Sequence, residues 1–170
     1  MAILGKGVEY ALHCMSYLID PPHGAVLTVK DIAQFQGVSE SYLAKIFTKL
    51  SKARLIRSSI GAKGGYELAR PPEQISFWDV VVAVEGGFSL FECRNVRSNC
   101  ALFEGDDEKP DWLVSGTCEI HAVMLSAEAS VKKTLQEKNL AWLAKKLEKK
   151  IPLKEQKKIV RWFTDLSESR

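Results

Sequence analysis

Between Thr28 and Leu68 the residues leave little choice of local structure. Thr28 precedes Val29-Lys30-Asp31-Ile32-Ala33, so its hydroxyl can accept from a free helix amide while Asp31 reaches back, the capping-box arrangement. A helix is predicted from there to Gly37, a residue suited to a helix C-terminus. Ser39 opens a second helix, in which Leu43, Ile46, Phe47 and Leu50 recur at the spacing of one buried face. Leu55-Ile56-Arg57-Ser58 then reads as a strand, Gly61-Ala62-Lys63-Gly64-Gly65 as a tight turn, and Tyr66-Glu67-Leu68 as the returning strand. The pattern is a helix-turn-helix followed by a glycine-hinged wing.

The face of the second helix left free carries Ser41, Tyr42, Lys45, Lys49 and Lys52. Hydroxyls there can hydrogen-bond phosphates or base edges, and ammonium groups neutralise phosphates. From Thr28 to Arg70 there are eight Lys or Arg against three Asp or Glu, a net of about +5. Nucleic acid is the natural partner for such a segment. Its candidate contacts are Thr28, Ser39, Ser41, Tyr42, Lys45, Lys49, Arg57, Lys63 and Gly64, with Lys63 at the wing tip. The competing use of the same fold is a protein-binding module.

A chain of 170 residues, 46% of them hydrophobic, can bury one good core and carry an added helical arm. No apolar run approaches the ~18 residues a membrane span needs, and Lys6, Glu9 and His13 interrupt any signal-peptide core. A cytoplasmic location is expected. The overall charge of +3 hides blocks of opposite sign: Glu85 to Glu128 is about −6, and Lys132 to Arg170 about +7. The acidic middle is unsuited to facing DNA, and the basic tail reads as a solvated helix face. Four cysteines in a reducing compartment point to metal binding or burial instead of disulfides. With no nucleophile-base pair, phosphate-cradling loop or usefully spaced carboxylate pair, the chain is not expected to be an enzyme.

Residues 5 to 20 read as the first helix. Within it Glu9 and His13 are one turn apart on the same side, able to meet one ligand or simply to pair with each other. Cys14, on an adjoining face, reads as a small buried hydrophobe. His23 has no identifiable partner. Ser76 caps a helix through Val84, which Gly86-Gly87 ends. Residues 88 to 117 read as a long polar loop holding Cys93 and, after six intervening residues, Cys100. Seventeen more residues intervene before Cys118, and two separate Cys118 from His121. Thiolates and imidazole suit iron-sulfur clusters or zinc, and the spacing excludes only the tight Cys-x2-Cys pairs of zinc ribbons. From Glu119 the residues Val123, Met124, Ala127, Val131 and Leu135 repeat with helical period, predicting a long dimerisation helix. Two short amphipathic helices follow it. The expected organisation is therefore mainly α with a small β-wing. A winged helix-turn-helix domain covers 1–87, a ligand-bearing loop 88–117, the long helix 118–138 and a helical tail 139–170.

Gly7-Val8-Glu9-Tyr10-Ala11-Leu12-His13, Ser39-Glu40-Ser41-Tyr42-Leu43-Ala44-Lys45, Gly61-Ala62-Lys63-Gly64-Gly65-Tyr66 and Cys118-Glu119-Ile120-His121 together resemble the bacterial iron-sulfur winged-helix regulators, which include IscR, NsrR and RsrR. The resemblance covers roughly residues 1 to 138. It implies a homodimeric transcription regulator, a repressor or activator, on palindromic double-stranded DNA, with a cluster near the dimer arm. IscR-like members use three cysteines and a histidine, which map onto Cys93, Cys100, Cys118 and His121. The gap before Cys118 is much longer than that branch has. RsrR-like members hold a [2Fe-2S] cluster with a carboxylate and an imidazole from one subunit's first helix and two cysteines from the other, which map onto Glu9, His13, Cys93 and Cys118. The first-helix run matches that branch closely, so the resemblance implies this second set. The alternative is a winged-helix regulator with structural zinc or small-molecule gating.

Overall fold

The computed structural model describes residues 4–21, 26–59, 64–87, 89–105 and 109–168. The order is α1 (Lys6–Ser16), α2 (Val29–Gln36), α3 (Glu40–Lys52), β1 (Ile56–Ser59), β2 (Gly65–Leu68), α4 (Phe77–Glu85), α5 (Asp111–Val114), α6 (Glu119–Gln136), α7 (Leu140–Lys150) and α8 (Leu153–Glu168). Two compact units divide the chain: Met1–Phe88 with Thr134–Arg170, and Ser89–Lys133.

The first unit is built around the pair α2 and α3. Thr28 Oγ1 accepts from the Asp31 amide at 3.2 Å, and Asp31 Oδ2 accepts from the Thr28 amide at 2.8 Å, so the predicted capping box forms. Gly37 ends α2 at φ +67°, where a side chain would strain the backbone. Ser39 precedes α3, but its side chain caps no amide; its hydroxyl lies 2.9 Å from that of Ser41 instead. The first helix stops at Ser16, short of the predicted residue 20, and Tyr17 to Ile19 continue as turns.

β1 and β2 pair antiparallel, Ile56 opposite Leu68 and Ser59 opposite Gly65. The segment before α2 joins them, since the Tyr66 amide donates to Leu27 O at 2.8 Å. A Cβ on Gly65 would stand 2.6 Å from Leu27 O, so only glycine lets the two backbones approach. The turn residues 60–63, including Lys63, and the loop residue His23 lie outside the described residues.

Leu43, Ile46, Phe47 and Leu50 of α3 pack with Val8, Ala11, Cys14 and Met15 of α1 and with Val80, Val81 and Val84 of α4. The tail completes this core. Two backbone bonds tie it to the chain entering α4, from the Phe77 amide to Lys138 O at 2.8 Å and from the Leu140 amide to Ile75 O at 3.0 Å. Asn139 then caps α7 by accepting from the Trp142 amide at 2.8 Å. On α8, Phe163 is buried against Phe35, with ring centroids 4.8 Å apart, and against Tyr17 at 5.6 Å.

Cys14 is wholly enclosed, and burial pushes its thiol from 9.0 up to about 12. The folded state favours the neutral thiol, so its contribution is complete below pH 9 and is lost as pH rises toward 12. Urea unfolding between pH 8 and 10.5 should show stability falling, and Cys14→Ala should flatten that decline.

The second unit is less regular than a helix bundle but is not the plain loop that the sequence suggests. It contains 3₁₀ turns at Val96–Asn99 and Ala101–Phe103, the short α5, and most of α6. Arg97 closes it by donating to the carbonyls of Trp112, Ser115 and Gly116 at 3.2, 2.8 and 2.6 Å. No residue of α6 is buried, and Ile120, Val123, Met124 and Leu125 are exposed.

Candidate nucleic-acid interface and metal ligands

α3 presents Ser41, Tyr42 and Lys45 to solvent because the opposite stripe of Leu43, Ile46, Phe47 and Leu50 is buried. Tyr42 is also held from behind, its ring edge-on to Tyr10 of α1 at 5.7 Å. Lys49 has a partner within the chain, donating from Nζ to Val84 O at 2.6 Å. Arg57 on β1 pairs with Glu67 on β2 at 2.7 Å, exposed on both sides. Thr28 is half-buried in its capping box, Ser39 is exposed, and Gly64 leads into β2. Tyr10 lies in the first-helix run that carries the resemblance but had no role assigned from sequence; the fold brings it to the recognition-helix face.

Glu9 and His13 are both exposed on α1, one turn apart. Beside them in the same unit is a cavity of about 460 Å³ whose apolar walls include Val8, Leu12, Phe77, Leu143 and Leu147. In the second unit Cys93 and Cys118 are half-buried and Cys100 is exposed. Cys118 stands immediately before α6, and its carbonyl accepts from the Ala122 amide at 2.9 Å. Helix amide dipoles favour negative charge at that end, as a ligating thiolate requires. His121 lies one turn further, its ring 5.9 Å from that of Phe91. Among the described residues, no group of three or more His, Cys, Asp or Glu side chains converges as a metal site within this chain.

The structure therefore offers a recognition helix and wing in one unit and separate donor pairs in each. The family profile for Rrf2, described as an iron-dependent transcriptional regulator, matches residues 4–146. The chain belongs to the Rrf2 family. A Mycobacterium tuberculosis protein named as a candidate HTH-type transcriptional regulator is 33% identical over 136 residues, 80% of this chain and 77% of its own. The solved structure of T. potens IscR is similar with a TM-score of 0.66 and 26% identity, over 88% of this chain and 90% of that one. That of CymR, the global cysteine regulator of B. subtilis, has a TM-score of 0.62 and 27% identity over 85% and 98%.

Rrf2 membership makes this a DNA-binding transcription regulator and not an enzyme. The fold agrees with the expected winged helix, mainly α with a two-stranded wing. The Rrf2 match runs past residue 138 into α7 and leaves α8 outside it. Among the described residues no helix is long and apolar enough to cross a membrane. Arg97 is the residue of this Rrf2 chain that sequence reading missed. One of two arginines between Cys93 and Cys100, it gives no sign in the sequence that it will bind three carbonyls.

Proposed function

We propose that the chain is a homodimeric regulator of a palindromic operator, responding to redox state or a related signal through a [2Fe-2S] cluster shared between subunits. Glu9 and His13 of one subunit would hold it with Cys93 and Cys118 of the other. The observation that carries this reading is the exposed Glu9 and His13 pair on a helix that touches the recognition helix through Tyr10 and Tyr42. A carboxylate, an imidazole and two thiolates are a chemically suitable donor set. Each unit supplies one pair, and a second chain supplies the complement. The exposed apolar row on α6 supports a dimer arm, since Ile120 and Val123 are each about two-thirds exposed.

When bound, such a cluster supplies a one-electron couple. His13 would hold or release a proton at the imidazole nitrogen not engaged in ligation. Val8, Leu12 and Phe77 give the cavity beside His13 an apolar wall. A small movement of α1 then reaches Tyr42 directly, and ~1–3 kcal/mol of coupling suffices to change DNA affinity usefully. The absorption spectrum of anaerobically purified protein tests this, with iron, sulfide and zinc counted on the same sample. Charge-transfer bands with about two irons and two sulfides per chain are expected.

A second reading is a regulator without a cluster, carrying structural zinc or gated by a small molecule. The cavity of about 460 Å³ beside Glu9 and His13 supports the small-molecule form of this reading. For the DNA face, Lys45→Ala should weaken binding across sequences and lower the slope of log affinity against log salt by about 1. Fluorescence anisotropy over a salt series measures both, and an unchanged slope would move the interface away from α3.

A further inference from the structure

Between the C-terminal turn of α3 and the outer face of α4 lies a recess of about 530 Å³ whose lining includes Lys49, Lys52, Arg70, Trp78, Asp79 and Val82. Three of these side chains are cationic. Lys49 is pinned by its bond to Val84 O at 2.6 Å, which leaves two of the three ammonium donors for another acceptor. Arg70 Nε is buried and has no hydrogen-bond partner. No ion pair among the described residues engages Lys49, Lys52 or Arg70. The one carboxylate in the lining, Asp79, is committed to the α4 capping box, accepting from the Ser76 amide at 2.8 Å and from its hydroxyl at 2.7 Å. A recess lined by three cationic side chains, with one carboxylate that already accepts two hydrogen bonds, is electropositive, and an anion is its chemical complement.

We infer that this recess is an oxyanion site that takes a phosphate group. Arg70 supplies the fork that binds two oxygens at once, and Lys49 and Lys52 add point charges beside it. Trp78 and Val82 provide an apolar wall against which the rest of a ligand can rest. The phosphate has two available sources, the backbone of bound DNA or a free phosphate-bearing small molecule. A free ligand would neutralise lysines on the last turn of the recognition helix and so lower DNA affinity, a gate separate from any cluster.

The test uses the full chain in two arms. In the first, inorganic phosphate is titrated at constant ionic strength while the Trp78 indole resonance, assigned with Trp78→Phe, is followed. A saturable shift, absent with chloride and weakened about tenfold or more in Arg70→Gln and Lys52→Gln, identifies a free-phosphate site. In the second, the salt slope is measured on a duplex that the protein has selected from random sequence. A slope lowered by about 1 in both variants, without a shift from free phosphate, identifies a DNA phosphate as the occupant. Lys52 is exposed, so Lys52→Gln decides the matter should Arg70→Gln fail to fold. No phosphate-dependent shift together with unchanged slopes in the folded variants overturns the inference.

Discussion

Phe163→Ala is expected to destabilise the chain by about 3–5 kcal/mol, the range for emptying a buried aromatic site. Phe163 is 2% exposed and is ringed by Phe35 at 4.8 Å, Trp162 at 5.0 Å and Tyr17 at 5.6 Å. Those neighbours belong to α8, to α2 and to the turn after α1, so the cavity would open beneath the helix-turn-helix itself. Collapse around it is restricted because Tyr17 is also fixed by donating from its hydroxyl to Gln36 at 2.8 Å. A fall in melting temperature on the order of 10 °C should follow. DNA affinity would then be lost on warming well before it is lost in the parent chain. If α8 were a detachable appendage, the same substitution would leave the melting temperature of the winged unit where it was.

The second large effect concerns colour. His13→Ala and Cys118→Ala should each abolish the visible absorbance of reconstituted protein, while Cys100→Ala should keep it. Cys100 is exposed and follows the Val96–Asn99 turn, whereas Cys118 sits at the start of α6. A ligand set of Cys93, Cys100, Cys118 and His121 would reverse the pattern, with His13→Ala coloured and Cys100→Ala colourless. His13 and Glu9 are exposed on α1, so their substitution should leave melting within about 0.5 kcal/mol of the parent, as for ordinary surface positions. Loss of colour without loss of fold is therefore the expected signature.

The winged helix-turn-helix was legible because its determinants are local. Thr28 and Asp31 are three residues apart, Gly37 supplies a left-handed terminus, and the buried stripe of α3 repeats within one helix. What local pattern could not show was where distant groups would meet. Lys49 has the right chemistry for a phosphate contact, yet its partner Val84 O is 35 residues away. The tail reads as amphipathic, but nothing in its periodicity says that Phe163 will stack on Phe35. The described residues between 89 and 117 look like loop in sequence because bonds that hold them run from Arg97 and Lys109 to backbone carbonyls, and carbonyls carry no sequence signature. Glu9, His13, Cys93 and Cys118 were readable as a candidate ligand set only through the family resemblance, and among the described residues no three such side chains converge within one chain.

Mixed dimers test the shared site most directly. Chains carrying His13→Ala and chains carrying Cys93→Ala, with different affinity tags, are co-purified as heterodimers, reconstituted, and assayed for iron and visible absorbance beside each parent homodimer. If the ligands come from opposite subunits, each homodimer is colourless, but the heterodimer keeps one intact set and about half the wild-type iron. Heterodimers as colourless as their parents, beside a coloured wild type, would contradict a cluster held between subunits.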